Sequence, residues 1–298
     1  MHIFNTFTFI WNHPFGKFQR FSAIVRWIRW QIGSRILNAT IAMPFVDSCR
    51  LLSKRGMAGA TGNIYVGLHE FNDMSFLLHY LRPGDLFVDV GANIGSYTVL
   101  ASGAVGANTI CFEPMPSTFE SLMDNININR LPSLVTSFNV AVGAESGTAL
   151  MVADQDTMNH IVDGKNSYTG ETVNVPVVTI DEILRDQEKV PCMIKIDVEG
   201  FETGVLGGAK SALESTDLEV LLIELNGCGT AYGFDDKVID QMLTNHGFKL
   251  VEYNGISRQL KPIKFGSHKD NALYVRNIDK VQEKVIQSKH YKVAGSTV

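Results

Sequence analysis

From residue 86 onward, short apolar runs alternate with stretches of helical periodicity. Residues 86–90, 109–113, 136–142, 192–198 and 219–225 are strand-length and rich in Val, Ile, Leu and Phe, as buried strands are. Between them, residues 96–104, 117–129, 201–215 and 235–246 read as helices. Ser117 with Glu120 forms a predicted capping box, and Gly247 stands where a helix ends. Residues 248–253 and 271–275 complete the set as an antiparallel pair. Strand–helix–strand alternation of this kind is the signature of a parallel sheet covered by helices. Residues 143–190 interrupt it. Two extra strands, 148–153 and 172–179, flank a polar loop, and Thr179 with Glu182 caps a short helix.

Upstream, residues 67–81 predict an amphipathic helix with Phe71, Met74, Leu78 and Leu81 on its apolar edge. Residues 18–36 predict another. There Phe18, Phe21, Ile24, Val25, Ile28, Ile32 and Ile36 form one stripe, with Trp27 and Trp30 set among Arg20, Arg26 and Gln31. Two readings stand for this helix: packed on the main domain, or lying on an anionic membrane surface through residues 11–36. The tail beyond residue 278 is polar and Lys-rich and is expected to fray. The divisions are therefore a basic helical extension over 1–60, an α/β domain over 61–278 and a polar tail over 279–298.

Charge sharpens this picture. The chain of 298 residues has a net charge of −5, with 45% hydrophobic and 19% charged residues, which excludes disorder. Residues 1–60 carry eight basic residues and one acid, so they are +7 and the remainder is −12. An acidic body is a poor partner for phosphate backbones, so no nucleic acid is expected. Cys49, Cys111, Cys192 and Cys228 are scattered without metal-ligand spacing and read as free thiols. No apolar run reaches the roughly 18 residues of a spanning helix. No export signal is evident either, so a cytoplasmic location is expected, with peripheral contact at the inner membrane face as its extension.

Candidate chemistry gathers where strands end. Asp89-Val90-Gly91-Ala92-Asn93-Ile94-Gly95 follows the first strand, where ligands bind open α/β sheets. It lacks the middle glycine of a dinucleotide fingerprint and is preceded by an acid, which suits a cationic ligand better than a diphosphate. Glu113 ends the next strand, 22 residues after Gly91, where a carboxylate can hold ribose hydroxyls. Together these two acids fit S-adenosylmethionine, which has a ribose, an adenine and a sulfonium.

The ordered segments FVDVGANIGSYT (87–98), FEPMPSTFESLMDNININ (112–129), NVAVG (139–143), VTIDEIL (178–184), IKIDVEGFE (194–202) and LLIELNG (221–227) resemble the FkbM family of S-adenosylmethionine-dependent methyltransferases. The resemblance covers about residues 65–277. It implies a class I, Rossmann-like, mostly parallel seven-stranded sheet with helices on both faces. An inserted hairpin and the N-terminal extension are added to that sheet here. It also implies O-methylation of a hydroxyl on a small-molecule or glycan acceptor. Asp89, Gly91, Ala92, Asn93 and Gly95 would line the methionine end of the cofactor, and Glu113 would hold the ribose. Asn139, Ala141 and Val142 would lie near the adenine, with Glu70 closing over the cofactor.

For catalysis, Asp197 and Glu199 sit at the carboxyl edge of the sheet, where a positioned base can take a hydroxyl proton. His160 in the inserted loop is a third candidate base. Asn159 and Glu224 are candidate acceptor contacts. Glu199 and Glu202 have a second reading as caps of the following turn. Acids 154, 156 and 163 with Asp197 and Glu224 lack calcium-loop spacing, so no metal is assigned. A nicotinamide oxidoreductase and a membrane-docked, non-catalytic protein on the same sheet remain as alternatives. The oligomeric state is open.

Overall fold

The computed structural model describes residues 2–15, 19–37, 39–152, 170–268 and 271–298. Its centre is an eight-stranded sheet. In chain order the strands are β1 (Leu86–Val90), β2 (Asn108–Phe112), β3 (Val135–Phe138), β4 (Met193–Ile196), β5 (Val220–Glu224), β6 (Lys249–Asn254), β7 (Gln259–Pro262) and β8 (Asn271–Val275). Their spatial order is β7-β6-β8-β5-β4-β1-β2-β3. Neighbours from β3 to β5 are parallel, and β8 runs antiparallel to both β5 and β6. The sheet thus has one strand more than the seven expected. The addition, β7, is an edge strand paired to β6 and held from outside by Gln282, whose Oε1 accepts from the Leu260 N–H at 2.7 Å.

Strand alternation sends side chains to two cores. Phe87, Cys111, Met193 and Leu222 meet the helices Phe71–Tyr80 and Pro116–Ile128 on one face. Leu86, Val88, Ile194 and Leu221 meet Glu202–Gly207 and Asp236–Asn245 on the other. On the first face, Asp89 and Lys195 are register partners on β1 and β4, two charges in an otherwise apolar layer. Their proximity follows from the pleat, and the site is built on it.

Several predicted elements change. Residues 136–142 do not form one strand: β3 ends at Phe138, and Ala141–Val142 joins a separate three-stranded sheet with Gly147–Val152 and Thr172–Val178. The break is held by the Asn139 amide, which donates to the carbonyls of Glu113 and Pro114 at 2.8 and 3.0 Å. The inserted hairpin is present, Gly147–Val152 against Thr172–Val178. The expected capping box is not, because the helix starts with Pro116 at its first turn and Met115 caps it without a side-chain bond. By contrast, the Thr179 hydroxyl accepts from the Glu182 N–H as expected. Predicted helix 67–81 shortens to Phe71–Tyr80, and a helix that was not predicted, Ala58–Val66, precedes it and ends at Gly67 (φ +90°). Residues 96–104 form a short α-turn, Ser96–Thr98, continued by π-type winding over Val99–Val105.

The tail does not fray. Ile278–Ile286 is a helix capped by Asn277, and it buries Val281 and Val285 completely. Beyond it, Val293 bridges to Val46, which draws the hairpin Ile41–Pro44/Arg50–Ser53 into the same core. The helix Arg20–Leu37 forms near its predicted span but is turned the other way. Ala23, Trp30 and Ser34 face inward, while Phe21, Ile28, Ile32 and Ile36 are exposed. Small residues at 23 and 34 let the helix approach Ile64, Tyr65 and Val66 closely enough for Trp30 to fill the gap.

Candidate active site

A cavity of about 400 Å³ opens at the carboxyl ends of β5, β4, β1 and β2. Its floor is the turn after β1. Gly91 has φ +75°, and a Cβ there would lie 1.8 Å from the Asp197 carbonyl, so only glycine fits. Asn93 also has positive φ, +50°, which Asn tolerates better than most residues. Its Oδ1 accepts from the Ile94 N–H at 2.7 Å and holds the bend. Asn93 therefore fixes a left-handed bend at the place where a dinucleotide fingerprint has its middle glycine.

On one side stands Glu113. Its Oε2 accepts from the Asn93 N–H and its Oε1 from the Met115 N–H, both at 3.0 Å. Each oxygen keeps a lone pair for a further donor. Burial still pushes this carboxyl up to about 7, against the pull of those two N–H groups. Next to it Phe112, Met115, Val140, Ala141, Val142 and Met151 form an apolar slot whose character suits an aromatic base.

The opposite side is acidic. Glu70 is clamped by the Tyr97 hydroxyl and the Asn271 amide, both at 2.8 Å. Lys195, buried within β4, reaches Asp197 at 2.8 Å and lies 4.9 Å from the centre of the Tyr97 ring. Burial would lower this ammonium, but Asp197, Asp89 and Glu70 outweigh it and hold it raised. Carboxylate oxygens of Asp197, Glu199 and Glu224 all lie within 4.8 Å of one another, a spacing that either shared protons or a divalent cation can satisfy. Burial, then Asp197 and Glu202, raises Glu199 to about 7. Burial with Asp197 and Glu199 raises Glu224 further. Glu199 stands at φ +54° and Gly200 at +100°, so the loop after β4 turns sharply to present Glu199.

Of the predicted residues, Glu70, Gly91, Ala92, Asn93, Glu113, Ala141, Val142, Asp197, Glu199 and Glu224 line this one cavity. Three others do not. Asp89 is wholly buried behind the turn, its Oδ2 accepting from the Thr98 hydroxyl at 2.7 Å, because alternation points it into the helix layer. Gly95 backs onto Leu122, which a Cβ would meet at 2.5 Å. Asn139 braces the backbone behind Glu113. His160 and Asn159 lie outside the described residues. Glu202 caps the turn, accepting from the Val198 and Gly200 N–H groups at 3.2 and 3.1 Å.

Lys195 and Tyr97 are the site residues that sequence reasoning passed over. The signal for Lys195 was present: a lone lysine inside an apolar strand is expensive unless paired. Tyr97 carried no comparable signal, since it is indistinguishable from a core aromatic until its hydroxyl meets Glu70.

Sheet order, switch-point cavity and donor set fit an adenosine carrying a cationic substituent. The apolar slot suits the base and the Glu113 carboxylate suits the ribose. The acids at the far side suit positive charge. This is the arrangement of a class I methyltransferase. Residues 89–250 match the Methyltransferase FkbM domain, and the chain belongs to that family. It is a methyltransferase whose methyl donor is S-adenosylmethionine, which sets the nicotinamide reading aside. The hexuronic acid methyltransferase AglP of Haloferax volcanii is 30% identical over 178 residues, 59% of this chain and 68% of that protein. The 31-O-demethyl-FK506 methyltransferase FkbM of Streptomyces tacrolimicus is 27% identical, over 61% of this chain and 80% of its own. Among solved structures, the precorrin-6y C5,15-methyltransferase of Geobacter metallireducens covers 68% of this chain and 84% of its own, at 14% identity and a TM-score of 0.39.

Proposed function

We propose that this chain methylates a hydroxyl oxygen of a neutral sugar or sugar-bearing small molecule, with Glu199 as the base. The proposal rests chiefly on the cluster of Asp197, Glu199 and Glu224, placed two to three strands from Glu113. At about 4.8 Å per strand, that is about 10–14 Å, the reach of a nucleoside with its amino acid arm. The apolar slot and Glu113 would hold the adenosine, and the three carboxylates would then stand on the side of its reactive end.

When bound, S-adenosylmethionine supplies an electrophilic methyl group on a sulfonium centre. The surrounding residues divide the remaining work. Glu70, fixed by Tyr97 and Asn271, would face the ammonium of the cofactor's amino acid arm. Asp197 is engaged by Lys195, which keeps it in place and occupies one of its oxygens. Among the described residues, Glu199 has no such partner cation. With its carboxyl near 7, it is balanced between holding and releasing a proton at neutral pH, as a general base should be. Glu224, raised further, stays protonated and can donate a hydrogen bond to the acceptor.

The charge of the pocket supports a neutral acceptor. Lys195 is the one lysine or arginine among the described wall residues, and Asp197 already engages it. A carboxylate-bearing acceptor would meet three acids and, among the described residues, no uncommitted cation. The test is incubation with deuteromethyl-labelled cofactor and a panel of neutral sugars, uronic acids and glycosylated small molecules, followed by mass spectrometry. Label on a hydroxyl oxygen of a neutral sugar is the expected result. Label on nitrogen, on carbon or as a carboxyl ester would reject the reading.

A further inference from the structure

The helix Arg20–Leu37 carries an apolar face that nothing in the described structure covers. Phe21 is 82% exposed, Ile36 75%, Leu37 61%, Ile32 56% and Ile28 46%. Positions 21, 28, 32 and 36 repeat by seven and four, so they form one stripe along the helix. Trp11, at the end of the helix His2–Asn12, adds an exposed ring, with the Arg20 guanidinium 4.4 Å from its centre. Large apolar residues scattered singly on a surface need no explanation, whereas a continuous row of them does.

The charges beside this row decide what it meets. Arg29 and Arg35 are exposed on the same helix, and no acid precedes Asp47 anywhere in the chain. Arg26 differs from them, because it is committed inward to the Tyr65 carbonyl at 3.0 Å and the Ala294 carbonyl at 3.3 Å. An apolar stripe whose charged neighbours on the helix are all arginines, with tryptophan at the rim, is the pattern of a helix lying at a lipid–water boundary. A second copy of this chain is a poorer occupant. Symmetric pairing would set one arginine row against another and strip water from both. Anionic headgroups would answer those charges instead.

We infer that the exposed face of the helix Arg20–Leu37, with Trp11 and Arg20 at its edge, docks on an anionic lipid bilayer. The inference stands on surface geometry and charge, independently of the acceptor reading. Its location matters for the enzyme. The inward face of the helix packs on Ala58–Val66, where the Asn63 Oδ1 accepts from the N–H of His69, a cavity-wall residue, at 2.8 Å. Docking would hold the cavity wall one helix away from the bilayer.

Vesicle flotation of the full chain tests this. Vesicles of phosphatidylcholine with about 30% phosphatidylglycerol are compared with pure phosphatidylcholine, each at about 0.1 and 0.5 M salt. Flotation with the anionic vesicles, weakened by salt, is expected. The triple substitution Phe21→Ser, Ile32→Ser, Ile36→Ser should reduce the bound fraction about tenfold, and Arg29→Glu with Arg35→Glu should do so without touching any buried side chain. Both variants should keep the parent melting temperature and affinity for S-adenosylhomocysteine. Failure of the parent chain to float would overturn the inference, as would flotation that neither variant diminishes. So would a doubled solution mass that the serine variant abolishes, because the face would then belong to a second copy.

Discussion

Lys195 shows how a single residue organises this site. It is 3% exposed in a strand otherwise made of Met and Ile, and its ammonium serves acids on β1, just after β4 and in the segment before the helix Phe71–Tyr80. Removing the cation would leave Asp89 and Asp197 facing each other without compensation. Lys195→Met should therefore cost about 3–5 kcal/mol of stability, read as a lower urea midpoint, although the replacement is apolar and of similar length. A shift below about 1 kcal/mol would mean that the acids take up protons at little cost. Glu199 makes a different prediction. If it accepts the acceptor's proton, kcat/KM should rise with pH through about 7, where its carboxyl ionises. Glu199→Gln should lower kcat about 10²- to 10⁴-fold and flatten that rise, while cofactor affinity changes little. A profile that keeps its inflection in the variant would assign the titration to another group.

At the scale of elements, the turn after β1 is set by close contact more than by flexibility. Gly91→Ala would drive a methyl group into the Asp197 carbonyl at a φ of +75°. The β1 and β4 ends would have to separate, and the cofactor cavity would lose its floor. A drop of at least 2 kcal/mol is expected, seen as a lower melting temperature, together with weaker S-adenosylhomocysteine binding in calorimetry. Gly227 is the matching control. It also has positive φ, +84°, but no atom lies within 4 Å of its would-be Cβ, so Gly227→Ala should cost only the backbone strain of about 1 kcal/mol. Elements also show where periodicity misleads. The stripe on Arg20–Leu37 is a sound helical repeat, and the helix forms. A repeat identifies a face without saying what covers it, and here the inward face was won by Trp30 between two small residues.

Across the whole molecule, the acids around the cavity couple stability to pH in an unusual direction. Glu113 is raised to about 7 when folded, against about 4.5 when unfolded, so the folded chain holds a proton over that interval that the unfolded chain has lost. Its contribution is fully present below about 4.5 and disappears as pH rises through about 7. The ligand-free protein should accordingly lose about 3 kcal/mol from this group across that window, with Glu199 acting in the same sense. Urea unfolding at pH 5 and pH 8 checks the sign. Glu113→Gln should reduce the difference by that group's share and leave the part due to Glu199, and stability that rises with pH would contradict the assignment. The C-terminal helix acts at this scale too. Ile278, Val281 and Val285 repeat at helical spacing, yet the polar surroundings hid the pattern until the groove beside Phe71–Tyr80 gave them somewhere to go.

Much of this protein is settled locally. The apolar runs that become β1, β2, β4 and β5, the glycine turn after β1 and the acid ending β2 follow from short-range rules of pleat, turn and propensity. They suffice to define the sheet and the end of it that binds a ligand. Which acids share that cavity was decided by assembly. Strand register set Asp89 beside Lys195 and turned it away from the ligand. Packing of chain segments more than a hundred residues apart brought Glu70 into one cavity with Asp197 and Glu224. The outward turn of the N-terminal helix was likewise a matter of packing. A sequence records what each segment can bury, whereas which surfaces finally meet depends on the competition among all of them.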